Sequence, residues 1–547
     1  MSGGHEILRR IFVTVRDKNW AEVPPTEWRC SVDEEASVVR IEARHRSDSV
    51  EFEWHGILQC SPDLRSIDFA FEGRALRDLD ICRLGLVTLH PVNGMVGAKI
   101  TARAGGEVVA LRRLEVLPVW RAIAPQPIIN GVPGAMLQPF SELSIATPDG
   151  AVLDLRFEGD MFELEDQRNW GDDSFKTYCT PLRAGFPRKI AAGTRIAHRI
   201  AATYTPATNA GEKARSAASS ATSVFVSQAP ARSASAVHSA PAASAAPAAA
   251  PTAARLPRIG CTVASLAQSA LAHIPWQHLH LSSSEIASVD PAARIKHIEI
   301  SAQGEPRSAI VAPIAQHRAR LARLLIYGDD NAPPSATTLQ HWQRALQHVG
   351  VKHVPVFAAV RGYFVELNRG NGARYDAAAG LAFPLTPTVH GDDPVTVGDN
   401  AATIIDMAET ARTLGTHHAS APLRIALAPL ALYYPTPPAT SHVPNDQVAA
   451  WLAATLMCAA LAGVDSITLD GRGLDAKAAS LLATLAPLSG APVSRPALTL
   501  PEGVHALSFN TPGHPTQRLI ANVRNRPAAL PGGRNLAPYE VRWAASS

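Results

Sequence analysis

The chain of 547 residues exceeds what a single hydrophobic core organises, so two to four domains are expected. Hydrophobic residues at 46% and charged residues at 18% are the balance of an ordinary globular protein. The 51 basic and 48 acidic residues are interspersed and leave a net charge of +3, which excludes an electrostatic footprint for nucleic acid or a membrane surface.

Residues 1–204 read as β. Segments such as "RIFVTVR", "SVVRIEARH", "SVEFEWHGIL", "SIDFAFEG", "LGLVTLHP" and "VLDLRFEG" alternate polar with apolar residues between Gly, Asp, Asn and Pro turns. Many short strands with few helical stretches predict an N-terminal β-sandwich. Residues 205–256 are Ala, Ser and Pro with almost nothing to bury, the composition of a flexible linker. From residue 257 to 495, short apolar strands alternate with amphipathic helices. The expected strands are 258–263, 277–282, 297–302, 323–328, 353–359, 381–387, 423–430 and 466–471. Helices are expected over "SATTLQHWQRALQHVG", "DNAATIIDMAETARTLG" and "NDQVAAWLAATLMCAALAG". Eight strands with intervening helices predict a central (β/α)8 barrel, with a doubly wound sheet as the competitor. Residues 496–547 return to β signals, "ALTL", "VHALSFN", "RLIANVR" and "YEVRW", and predict a small C-terminal β domain.

The six cysteines, Cys30, Cys60, Cys82, Cys179, Cys261 and Cys458, lie far apart, which argues against a zinc site and against a disulfide framework. The N-terminus lacks an uninterrupted apolar run of the kind that directs secretion. The run from Ala449 to Val464 is too short to span a bilayer and reads as a buried helix. A cytoplasmic setting is expected, with no cofactor and no metal.

In a (β/α)8 barrel, reactive groups sit at the C-terminal ends of the strands. After the fifth strand, "VRGYFVELNRGNG" places Glu366, Asn368 and Arg369 in a Gly-rich loop. After the sixth come His390, Asp392 and Asp393; after the seventh, Tyr433 and Tyr434; after the eighth, Asp470 and Arg472. The first, second and fourth ends are poorer, although "YGDD" offers Asp329 and Asp330. Convergent carboxylates, an imidazole and a guanidinium suit hydrolysis of a sugar-derived bond by general acid–base chemistry. Plainer readings exist for each: Glu366 as a salt-bridge residue, His390 as a turn residue, Asp392 and Asp393 as helix caps, Asp470 as a turn. The block "FELEDQRNWGDDSFKTYCTPL" is either a substrate-contacting loop or an internal salt-bridge network.

That block, together with "GGHEILRRIFVTVRDKNWAEVPP", "RLGLVTLHPV", "YFVELNRG" and "FPLTPTVHGDDPVTVGDNAATIIDMAETART", resembles the D-apionate lactonases of bacterial apiose catabolism. The resemblance implies the same β, barrel, β layout. It also implies hydrolysis of a sugar lactone, D-apionolactone to D-apionate, so the expected partner is a small-molecule lactone. On the matching motifs it implies Glu366 and His390 as catalytic, with Asn368, Asp392, Arg168, Asn169, Trp170 and Lys176 binding substrate. Glu366 would activate water, and His390 or Asp470 would handle the proton of the departing alkoxide. The family's last barrel strand ends in a glutamate within a "YYETTGWRG"-like stretch. This chain reads "ITLDGRGL" there, and Asp470 is one methylene shorter. Relatives also carry extra strand-forming residues before "GGHEILRR". Two alternatives follow from the same strand ends: a glycosidase-like barrel, and a sugar-binding paralogue with impaired catalysis.

Overall fold

The computed structural model describes residues 6–113, 128–129, 132–133, 135–165, 167, 171–207, 254–286, 295–329, 332–369, 375–414, 423–434, 443–510, 516–531, 533 and 535–545. Of the segment 205–256 expected as a linker, residues 208–253 fall outside the described residues, as do Arg168, Asn169, Trp170 and Asp330; Thr205 ends a strand and Leu256 is buried in the core.

The N-terminal strands are β1 (Arg10–Asp17), β2 (Pro25–Asp33), β3 (Val38–Arg46), β4 (Glu51–Cys60), β5 (Ser66–Ala75), β6 (Leu79–Pro91), β7 (Lys99–Ala104) and β8 (Glu107–Arg113). They continue as β9 (Ile128–Ile129), β10 (Val132–Pro133), β11 (Glu142–Ala146), β12 (Val152–Glu158), β13 (Phe162–Glu165), β14 (Ser174–Cys179), β15 (Arg188–Ile190) and β16 (Arg195–Thr205). A nine-stranded sheet runs β2-β3-β4-β5-β16-β12-β11-β7-β8, and a five-stranded sheet runs β1-β6-β14-β13 with β15 also on β6. One apolar cluster unites inward side chains of both sheets, among them Phe52, Phe71, Phe157 and Ile200 with Val15, Leu84, Leu86 and Phe175. The edge strand β2, which carries no clean apolar alternation, is exposed along its whole length.

Eight parallel strands then close into a barrel: β17 (Arg258–Thr262), β18 (His278–Ser282), β19 (His297–Gln303), β20 (Leu321–Tyr327), β21 (Val356–Ala359), β22 (Gly380–Leu385), β23 (Arg424–Leu430) and β24 (Ser466–Leu469). Helix starts follow from local chemistry. Ser335 accepts a hydrogen bond from the Thr338 amide at the head of Ala336–His348, and Asp475 caps Ala476–Leu485 in the same way. Asp393 caps Pro394–Asp399, whose proline sits where a missing N–H costs nothing. Helix Asn445–Leu461 is apolar on all sides and is buried almost throughout, as a core helix must be.

The C-terminal strands are β25 (Val493–Ser494), β26 (Val504–Phe509), β27 (Gln517–Asn522), β28 (Ala528–Ala529), β29 (Asn535–Leu536) and β30 (Val541–Ala545). The order β25-β26-β27-β30 forms one sheet. The expected strand "ALTL" is not one. Pro496 and Pro501 bracket it, proline cannot donate to a ladder, and the Leu498 amide instead turns back onto the Pro496 carbonyl at 2.9 Å. Asp399, at the end of a barrel helix, joins all three parts. Its carboxylate takes Arg9 of the N-terminal segment at 2.6 Å and Arg524 of the C-terminal sheet at 2.7 Å.

Candidate functional site

Strand alternation sorts the barrel residues into two sets. Ile259, Cys261, Leu279, Leu281, Ile298, Ile300, Leu324, Ile326, Ile467 and Leu469 belong to the large core outside the barrel. Their neighbours in sequence therefore point inward, and those inward residues divide into halves. On β20 to β23 the interior is apolar apart from Arg323, a separate cluster of Leu325, Tyr327, Phe357, Ala359, Ala382, Ala426 and Ala428. On β24, β17, β18 and β19 it is polar: Ser466, Thr468, Thr262, His278, His280, Ser282, Glu299 and Ser301.

Glu299 anchors the polar half. Its side chain is 0% exposed and accepts from His280 Nδ1 at 2.8 Å and from Thr468 Oγ1 at 2.8 Å. Arg323 Nε stands 3.1 Å from its other oxygen, and Arg323 also pairs with Asp465 at 3.0 Å and stacks on Phe357 at 5.3 Å. Burial alone would raise the Glu299 carboxyl, but the His280 hydrogen bond and the Arg323 guanidinium outweigh it and hold the group well below the usual carboxylate range. His278 Nε2 meets Thr468 Oγ1 at 2.9 Å, and burial pushes its imidazole down to about 3. The ring crosses Gly260, where an added Cβ would stand 2.4 Å from it, so only glycine fits there.

Toward the mouth, Arg361 lies over the Tyr327 ring at 4.3 Å, and Tyr434 donates its hydroxyl to the Arg361 carbonyl. Tyr363 packs edge-on to Tyr434 with centroids 6.3 Å apart. Asp470 follows β24, and Arg472 clasps its carboxylate through Nε at 2.9 and 3.0 Å and through the backbone amide at 3.1 Å. Glu366 does not sit in a loop as expected. It lies on the short helix Phe364–Arg369, half-buried, with its stem against Gly362. Asn368 is on the same helix, and its side chain falls outside the described residues. Asp392 is half-buried in the turn before its helix.

His390 is one of the residues through which the N-terminal part meets the turn after β22. Its Nδ1 lies 2.9 Å from Asp172 Oδ2, and Arg10 of β1 donates to its carbonyl at 3.2 Å. Asp172 also accepts from Ser174 Oγ at 2.6 Å and pairs with Lys176, whose ammonium donates to the Ser174 carbonyl at 2.9 Å. Side-chain exposures are 0% for His390, 1% for Asp172 and 0% for Lys176. Burial pushes the His390 imidazole down to about 4, while Lys176 and His390 together overcome burial to hold Asp172 well below its ordinary value. Lys176, expected on a loop, is thus an interior residue of β14. A second buried network sits behind it: Arg83 pairs with Glu163 at 2.6 Å and Glu165 at 3.0 Å and lies over Tyr178 at 4.7 Å.

Asp172, His280, Glu299, Arg323 and Thr468 were not picked out by sequence reasoning. The signal was present in "HLHLS" and "HIEIS", where every second residue is polar in strands whose other face must be core. Among the described residues no three His, Cys, Asp or Glu side chains converge as metal ligands, and no helix is long and apolar enough to cross a membrane.

Residues 1–207 match the family described as D-apionate lactonase, N-terminal domain. A D-apionate lactonase from Brucella anthropi is 28% identical over 221 residues, which cover 39% of this chain and 34% of the relative, so the match spans about a third of that protein's length. Solved structures that align with this chain include a 4-O-alpha-L-rhamnosyl-beta-D-glucuronidase from Fusarium oxysporum, at 9% identity and TM-score 0.33 over 51% of this chain and 80% of the other. An alpha-galactosidase from Geobacillus stearothermophilus aligns at 11% identity and TM-score 0.26 over 98% and 89%.

Proposed function

We propose, from the match of residues 1–207 to the D-apionate lactonase N-terminal domain and the likeness to a D-apionate lactonase, that the protein is a divergent relative of these enzymes and hydrolyses a five-membered sugar lactone, D-apionolactone first among the candidates, at the mouth of its barrel. The observation that carries the reading is the Asp172–His390 contact: the family-matched segment packs its buried Asp172 onto the turn that follows β22. In this reading the two N-terminal sheets are a sandwich, the barrel with its helices is a (β/α)8 unit, and divisions near 204, 256 and 495 separate the parts.

Glu366 takes the proton from an attacking water, and the water oxygen bonds to the lactone carbonyl carbon. Charge develops on the former carbonyl oxygen, where the Arg472 guanidinium, held in place by Asp470, stabilises it. The ring C–O bond then breaks and the departing oxygen takes up a proton. His390, wholly enclosed, acts as a strut that fixes the mouth turn, and Lys176 serves it through Asp172. Arg168, Asn169, Trp170, Asn368 and Asp392 remain assigned to substrate.

Kinetics of Glu366→Gln and Asp470→Asn test this assignment, with folding checked by melting. A lost general base costs roughly 10²–10⁴-fold and a weakened oxyanion partner roughly 10²–10³-fold in kcat. Wild-type turnover by Glu366→Gln would remove Glu366 from the mechanism.

A further inference from the structure

The departing ring oxygen of a lactone is an alkoxide, a poor leaving group, and protonation as its bond breaks is worth orders of magnitude in rate. Neither group first considered for that proton is well placed. His390 is wholly enclosed and has an imidazole pushed down to about 4, so it is neutral at working pH. Asp470 has both carboxylate oxygens engaged by Arg472. The barrel interior holds a third group. His280 is the middle residue of β18, and it is the inward imidazole that retains exposure, with 16% of its side chain reaching solvent against 0% for Glu299 beside it. Thr262 of β17 and Ser282 further along β18 point inward and keep partial exposure, so the polar half of the interior opens upward from His280.

We propose that His280 is a catalytic residue of this reaction, the general acid that protonates the departing ring oxygen, and that Glu299 is its positioning residue. This rests on the lactonase reading above. The geometry has three parts. Glu299 Oε1 accepts from His280 Nδ1 at 2.8 Å, so Nδ1 carries hydrogen and Nε2 is the nitrogen that gains and loses a proton. Glu299 is itself fixed by Thr468 at 2.8 Å and by Arg323 at 3.1 Å, so the carboxylate stays charged and holds the ring in one orientation. Finally, β18 and β21 are three strands apart on an eight-stranded ring, so His280 and the Glu366 helix that follows β21 stand on different strands, as an acid and a base acting on two sides of one lactone must. As the tetrahedral intermediate collapses, the ring C–O electron pair moves onto oxygen, oxygen takes the Nε2 proton, and imidazole is left neutral. The proton that Glu366 took from water returns imidazole to its acid form through solvent.

A general acid matters only when the leaving group needs a proton. Comparing a sugar lactone with an activated aryl ester such as p-nitrophenyl acetate therefore separates this role from a structural one. His280→Asn is expected to lower kcat on the lactone by roughly 10²–10³-fold with little change in KM, and to leave aryl ester hydrolysis within about threefold. Glu299→Gln, which weakens the hold on the ring, should lower kcat on the lactone in the same selective way and leave aryl ester hydrolysis within about threefold. Equal losses on both substrates, or an unchanged lactone rate, overturn the proposal. If the wild-type protein hydrolyses no lactone, the lactonase reading is what fails. His280 is then judged by NMR of its imidazole, assigned through His280→Asn: a shift on adding millimolar sugar aldonate supports ligand contact at Nε2, and no shift overturns it.

Discussion

Replacing Asp172 by Asn is the sharpest test of how the N-terminal sheet is tied to the barrel mouth. The substitution keeps size and leaves an oxygen able to accept from His390, but it removes the charge facing Lys176. With exposures of 1% and 0%, the ammonium has no route to water without opening the sheet. Removing one partner of a buried ion pair costs about 3–5 kcal/mol, because the other charge stays buried and uncompensated. For a unit of roughly 200 residues each kcal/mol moves the midpoint about 2–4 °C, so the expected fall in Tm is about 6–20 °C. The assay is thermal melting by near-UV circular dichroism of the wild type, Asp172→Asn, Lys176→Met and the double variant. Removing both charges takes away the cause, so the double variant should recover most of what either single one loses. A single-variant loss under about 1 kcal/mol, or a double variant no better than the singles, would refute the reasoning.

Three further outcomes are expected. Lys176→Met alone should lose stability while the KM of folded enzyme is unchanged, because the side chain cannot touch substrate; a raised KM with normal melting would contradict its placement in the interior. Acid should destabilise the fold between about pH 6.5 and 4. Burial pushes His90, His198, His390 and His505 each down to about 4, so the folded state keeps them neutral while the unfolded chain protonates near 6.5. Stability is therefore full above about pH 6.5 and falls by roughly 3 kcal/mol per group as pH drops to 4, against two opposing carboxyls, Asp173, which burial and Asp399 push upward, and Glu163, which burial pushes upward. Denaturant midpoints that stay level from pH 7 to 5 would contradict this. Gly260→Ala should cost about 1–3 kcal/mol by forcing a methyl into the His278 ring, and normal melting would show that the ring moves aside freely.

Much of the architecture was legible because local chemistry and packing agree. Ser335, Asp475 and Asp393 announce helix starts, and the runs Ile298–Ile300 and Ile425–Leu427 are hydrophobic enough to demand a two-sided barrel strand. The eight barrel strands accordingly lie within a few residues of where periodicity puts them. Strand β2 was not singled out, since a wholly exposed edge strand needs no apolar face. The helix holding Glu366 reads as loop because Gly362 and Gly370 flank it. Yet Phe364–Arg369 contains no Gly or Pro, and Phe364 and Leu367 anchor one side in the core.

The site was legible in its residue types and not in its depth. Sequence places His390 and Lys176 among polar neighbours, the usual mark of exposure, but pairing through Asp172 lets all three be buried, and no local pattern announces a partner 218 residues away. Conversely, attention to loops at the strand ends passed over Glu299 and His280, which lie inside strands. Their warning was energetic: a carboxylate in the middle of a barrel strand must either face a charged partner or not be there. Arg323, one strand along, is that partner.

The most direct measurement is proton release in a pH-stat by the purified full chain with a panel of five- and six-membered sugar lactones. Sugar-lactone hydrolysis at the barrel mouth predicts rates far above spontaneous opening for a branched five-membered lactone, and loss of that excess in Glu366→Gln. Proton release at the spontaneous rate for every lactone, from protein with a normal melting transition, would contradict it.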